Sequence, residues 1–138
     1  MTIINMQTMR YINLLDKASN VKTRSCFVYN GTIYFAVPKK LVSKAIGPEA
    51  SNIRKMQDKL GKRVRVVSEC ESPLDIGRFI EDVVAPIRFK SLEVKNGSVI
   101  ITAGNHQNKA SLIGRNKRRL DELTSVVGNS FGMTIKII

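Results

Sequence analysis

The sequence predicts an α+β protein of two tandem modules, each running α-β-β-α-α-β as a three-stranded sheet with its helices packed on one face. Three observations predict it. Two Asn-Gly pairs, Asn30-Gly31 and Asn96-Gly97, sit between β-prone runs. Two Ile-Gly pairs follow them, Ile46-Gly47 and Ile113-Gly114, each with a further glycine fourteen residues on, at Gly61 and Gly128. Each half then closes on a β-branched run, Val64–Val67 and Thr134–Ile138. The Asn-Gly and Ile-Gly pairs recur at offsets of 66 and 67 residues, and self-similarity at a fixed period marks a duplicated structural unit.

In the first unit, Tyr11, Leu14, Leu15 and Ala18 fall on one face of an opening helix. Strands Ser25–Tyr29 and Thr32–Val37 flank Asn30-Gly31. Both central residues of a type I′ turn need positive φ, so Asn-Gly there reads as a hairpin. A short helix over Lys39–Ala45 leads to Ile46-Gly47. Asn52–Leu60 follows, carrying Ile53, Met56 and Leu60 as an amphipathic stripe, with Gly61 as its C-cap. The third strand covers Val64–Val67.

The second unit repeats this. Ser72-Pro73 suits a helix start, with proline as the first residue. Ile76, Phe79, Ile80 and Val83 share that helix's inner face. Strands Phe89–Lys95 and Ser98–Ala103 flank Asn96-Gly97, and a short helix spans Asn105–Leu112. Leu120, Leu123 and Val127 then form a stripe expected to stop at Gly128. The boundary near Ser68–Ser72 divides the chain into residues 1–70 and 71–138. It is too short for a flexible tether, so the units are expected to be held rigidly together.

Twenty-three Lys and Arg against eleven Asp and Glu give a net charge of +12 on 138 residues. Such a charge concentrates polyanions at the surface and releases their counterions. Nucleic acid is the commonest such partner, with a membrane surface as the other. Residues 1–72 hold 13 basic and 5 acidic side chains, and the remainder 10 and 6, so both units are candidates for contact. No apolar run approaches the roughly 20 residues of a membrane span, and no secretory signal is evident. A cytoplasmic protein without a membrane partner is expected, and the sequence leaves its oligomeric state open.

Cys26 and Cys70 lie far apart beside a single histidine, His106, too few ligands for a tetrahedral zinc site. Buried free thiols are the simpler reading, with a disulfide as the alternative. No P-loop, G-x-S-x-G or H-E-x-x-H occurs, and the amphipathic helix pattern already accounts for Asp75, Glu81 and Asp82. The expectation is a non-enzymatic protein with no cofactor and no metal.

The chemistry concentrates at the two Ile-Gly turns. Where one helix stops at a glycine and the next begins at once, backbone N–H groups and a helix dipole converge into an anion site. Arg115, Lys117, Arg118 and Arg119 crowd the second turn; Lys39, Lys40 and Lys44 precede the first, and Arg54 and Lys55 follow it. Cations at a helix N-terminus oppose the dipole, and a bound anion would offset that cost. The other reading is a solvated basic face.

The order α-β-β-α-α-β, with Ile-Gly-x-x-x between the middle helices, resembles a type II KH domain. The duplication resembles the tandem KH pair of the archaeal NusA-like transcription termination/antitermination proteins, over roughly residues 5–138. In that family the turn is Ile-Gly-x-x-Gly. It grips the backbone of about four single-stranded nucleotides beside an apolar groove that takes the bases. The resemblance implies RNA-binding positions at Gly47 and at Gly114, Arg115, Asn116 and Lys117, beside the Arg118 and Arg119 that the charge cluster adds as candidates. It also implies single-stranded RNA and a transcription complex or RNA polymerase as partners.

Both turns depart from the pattern. They read Ile46-Gly47-Pro48-Glu49-Ala50 and Ile113-Gly114-Arg115-Asn116-Lys117, so Ala50 and Lys117 replace the second glycine. Pro48 removes one N–H donor, and Glu49 sets a carboxylate where a phosphate would lie. The second turn is therefore the expected main grip. Ile46, Ile53 and Val66 are candidates for the first groove, and Ile113, Leu120 and Ile135 for the second, although core packing explains them as well. Lys62, Arg63 and Arg65 around the third strand are candidates for backbone contacts. Tyr29, Tyr34 and Phe35 read as sheet packing. The expected function is to hold nascent single-stranded RNA across both modules during transcription elongation, termination or antitermination. The alternative is a ribonucleoprotein assembly or ribosome-associated role.

Overall fold

The computed structural model describes residues 6–23, 25–70 and 75–138. The chain divides into two compact units, and the division falls within residues 71–74. The expected boundary at 70/71 and the Ser72-Pro73 helix start touch residues outside those described.

The first unit opens with α1 (Met6–Ser19), followed by β1 (Ser25–Tyr29) and β2 (Thr32–Val37). A 3₁₀ turn over Lys39–Leu41 runs into α2 (Val42–Ile46); a second over Pro48–Ala50 runs into α3 (Ser51–Leu60), and β3 (Arg63–Ser68) closes the unit. The central strand is β2, antiparallel to β1 and parallel to β3. Asn30 and Gly31 have φ of 53° and 71°, as a type I′ turn requires. A parallel pair needs a long crossover, and that crossover contains α2, the Ile46-Gly47 turn and α3.

Side chains alternate across a strand, which fixes what the first sheet buries on its helical side. Ile33, Phe35 and Val37 of β2 pack in one cluster with Tyr11 and Leu15 of α1, Ala45 of α2, Met56 of α3 and Val64 of β3. All three helices thus cover one face. Each large side chain fully buried there contributes about 1.5–3 kcal/mol relative to exposure. The Gln57 side-chain oxygen accepts the Val64 N–H at 3.0 Å, fixing α3 to the start of β3.

Cys26 lies in this cluster, 5% exposed, whereas Cys70 is half-buried, and no disulfide joins the two. Burial pushes the Cys26 thiol up to about 12, leaving a thiolate fraction of about 10⁻⁴ at pH 8. A thiol reagent at pH 8 is expected to modify Cys70 first and Cys26 only in denaturant. Equal rates at both thiols in the folded protein would contradict this packing.

The second unit repeats the order with α4 (Ile76–Val84), β4 (Ser91–Lys95), β5 (Ser98–Thr102), α5 (His106–Ile113), a 3₁₀ turn over Arg115–Lys117, α6 (Arg118–Phe131) and β6 (Thr134–Ile137). Its sheet order is β4-β5-β6, antiparallel then parallel. The architecture is therefore α+β with two tandem three-stranded modules. Ile76, Phe79, Ile80 and Val83 are all buried, as the helical pattern predicts. β4 begins at Ser91 rather than Phe89. The Asn105 side chain caps α5 by accepting the Asn108 N–H at 2.7 Å.

One expectation is overturned. Gly128 is not a helix cap but an exposed residue inside α6, and the cap is Gly132, with φ of 65°. An interior glycine costs only about 1 kcal/mol relative to alanine. Continuing the helix brings Phe131 edge-on to Phe79, ring centroids 5.5 Å apart, above the buried Val126 and Val127. Packing outweighs propensity, and α6 is four residues longer than α3.

Candidate nucleic-acid interface

At the first turn, α2 ends when the Gly47 N–H donates to the Ser43 carbonyl at 2.9 Å. Gly47 then turns to φ 81° and ψ 167°, a region essentially reserved for glycine. A Cβ there would lie 2.8 Å from the Asn52 amide nitrogen and 2.9 Å from the Ser51 hydroxyl. Glu49 and Ala50 follow, both left-handed with φ of 55° and 59°. The Ala50 N–H closes the turn on the Gly47 carbonyl at 3.1 Å.

The second turn repeats this almost degree for degree. Gly114 has φ 78° and ψ 172°, Asn116 and Lys117 have φ of 56° and 60°, and the Lys117 N–H reaches the Gly114 carbonyl at 3.2 Å. The fourth position is left-handed in both turns although neither copy has glycine there. Left-handed backbone costs an ordinary residue about 1–2 kcal/mol, and Asn less. Ala50→Gly is accordingly expected to raise stability by about 1 kcal/mol in urea unfolding, an increase that would vanish if Ala50 were not left-handed in solution.

Ala50 and Lys117 occupy the N-cap positions of α3 and α6, and neither makes a side-chain cap. The helix starts thus keep their electropositive character in an exposed turn. Arg115, Asn116, Lys117 and Arg118 are all exposed there. Arg119 is different. It is partly buried, seats its side chain against Gly114, and pairs with Glu122 one turn along α6. Asn52 holds the corresponding place in the first module, donating to the Lys44 carbonyl at 3.2 Å. The sequence signals this seat, five residues after the glycine, only through its equal spacing in both copies.

Around the first turn, Lys39, Lys40, Lys44 and Lys55 are exposed. The Arg54 guanidinium donates to the Glu49 carbonyl and so braces the turn itself. Lys62 precedes β3, Arg63 and Arg65 lie on it, and all three are exposed. Arg63 and Arg65 alternate with Val64 on β3 and face away from the helices. Arg65 sits 5.5 Å above the Tyr34 ring and 3.3 Å from its hydroxyl. Tyr34 also stacks on Phe27 at 5.2 Å. The structure therefore does not bring these two arginines to the turn. The six groove candidates, Ile46, Ile53 and Val66 with Ile113, Leu120 and Ile135, are half-buried, unlike the fully buried Met56 and Leu123 beside them in sequence.

No family model matches the chain. It is 24% identical to "Probable transcription termination protein NusA" of Methanococcus vannielii, over 98% of this chain and 79% of that protein. The protein of the same name from Methanocaldococcus jannaschii is also 24% identical, over 92% of this chain and 70% of its own length. A solved crystal structure, that of APE1850, superposes with a TM-score of 0.68 at 22% identity, covering 98% of this chain and all of the other. The chain is NusA-like in sequence over nearly its whole length.

Proposed function

We propose that this chain is a cytoplasmic, non-enzymatic single-stranded RNA-binding protein. Its two modules are type II KH domains that hold nascent transcript during termination or antitermination, in contact with a transcription complex. The observation that carries this reading is the pair of glycine turns. Each ends one helix and starts the next through the same run of dihedral angles, and the second sets Arg115, Lys117 and Arg118 in solvent around an uncapped helix start. That combination suits an anion such as a phosphate. The half-buried apolar residues beside it suit a base-accepting groove. The names of the archaeal relatives support the transcription role.

The grips are unequal in this reading. Pro48 offers no N–H and Glu49 is exposed with its carboxylate at the first turn, so the second module anchors. The test is titration with single-stranded RNA and with a duplex of the same sequence at two salt concentrations. The three exposed cations of the second turn predict by themselves a log–log salt slope of about −2 for the single strand, steeper with every further phosphate contact, with weaker binding to the duplex. Equal or tighter duplex binding would overturn the reading in favour of ribonucleoprotein assembly.

A further inference from the structure

Along one side of the first module, α1 and α3 leave an open groove of about 440 Å³, with a neighbouring stretch of about 410 Å³ that shares Leu14, Lys17 and Lys59. Its rims carry cations from both helices: Arg10 and Lys17 on α1, Lys55 and Lys59 on α3, all four exposed. Leu14 and Ala18 form part of an apolar floor, and Asp58 is the one carboxylate among the described lining residues. Arg10 and Lys17 are two helical turns apart, about 10 Å along the rim. This surface is separate from the glycine turn, but it adjoins it. Lys55 lies one helical turn beyond the start of α3, so a strand passing the turn could continue into the groove.

The duplication provides an internal comparison. The buried faces of α1 and α4 match at an offset of 65, placing Asp75 opposite Arg10 and Asp82 opposite Lys17. The glycine turns match at an offset of 67, placing Glu122 opposite Lys55 and Val126 opposite Lys59. Three of the four cations are therefore carboxylates in the sister module and the fourth is apolar. The architecture does not require this basicity; it belongs to the first module, whose turn is the poorer grip.

We infer that the α1–α3 groove is a second RNA-binding surface, which takes the sugar-phosphate backbone and lets the first module hold the strand beside its turn. This rests on the RNA-binding reading above. Side chains at the rims reach phosphates, and the apolar floor accepts ribose or base faces without reading sequence.

The test uses the full chain and a single-stranded oligouridine at several salt concentrations. Lys17→Glu with Lys59→Glu is expected to weaken binding about tenfold at low salt and to make the salt slope shallower by about 1.4. Lys17→Arg with Lys59→Arg is expected to bind as the parent does, and thermal melts of both variants check the fold. Parent-like affinity and slope in the glutamate variant would overturn the groove and leave the RNA-binding reading standing. Loss of binding to an acidic amphipathic helical peptide with RNA affinity intact would also overturn it, and make the groove a protein-docking site. Failure of the parent chain to bind the oligomer would defeat the RNA-binding reading itself.

Discussion

Replacing Lys117 and Arg118 together by glutamate is expected to weaken single-stranded RNA binding by about tenfold or more at 0.1 M salt, and to make the salt slope shallower by about 1.4. These two side chains, with Arg115, are the exposed cations of the turn; Arg119 is already engaged with Glu122. The same change acts on stability with the opposite sign. Acidic residues at a helix N-terminus are favourable by about 0.3–1 kcal/mol each, where cations are not. The variant is therefore expected to melt no lower than the parent while binding worse. That opposition separates loss of a grip from loss of a fold. Lys136→Glu is the control, since Lys136 is exposed on β6 in register with Ile100, away from the turn. If the double variant bound like Lys136→Glu, the second turn would not be the anchor.

Gly114→Ala is expected to cost about 3 kcal/mol. Two effects combine: a φ, ψ pair that only glycine adopts readily, and a Cβ placed 2.5 Å from Arg119 Cγ and 2.9 Å from its backbone nitrogen. A loss of that size in a module of this length lowers the melting temperature by about 10–20 °C. Gly97→Ala provides the comparison. Gly97 has φ of 76° but open space around a built Cβ, so only the conformational cost of about 1 kcal/mol remains. Similar melting temperatures for the two variants would show that Gly114 is not closely packed against Arg119.

The α+β architecture was readable because its signals are local and occur twice. Asn-Gly between β-prone runs, apolar stripes at helical spacing and the paired Ile-Gly steps each act within a few residues. Gly128 misled for the opposite reason. What carries α6 past it is a contact between Phe131 and Phe79, more than fifty residues apart, and a single-sequence pattern holds no sign of that. The turn was legible as a place but not as a wiring. Sequence places Arg115 to Arg119 together, and it is the fold that separates Arg119, held by Glu122 over Gly114, from its exposed neighbours. Arg63 and Arg65 share β3 with the groove candidate Val66, but alternation along the strand turns them to the face that the helices do not cover. The α1–α3 groove leaves no local sequence signal, because its cations come from segments more than thirty residues apart.

The crossover between the two parallel strands also sets an order of assembly. Each hairpin closes across two residues and can form in microseconds. Pairing Thr32 with Arg63, or Ser98 with Thr134, closes a chain more than thirty residues long, and that closure is slower because its entropy must be lost before the contact rewards it. Both helices and the glycine turn lie inside that loop. The grip is therefore completed late in the folding of each module, when the last strand docks, and a partly folded module would carry a finished hairpin without a finished grip.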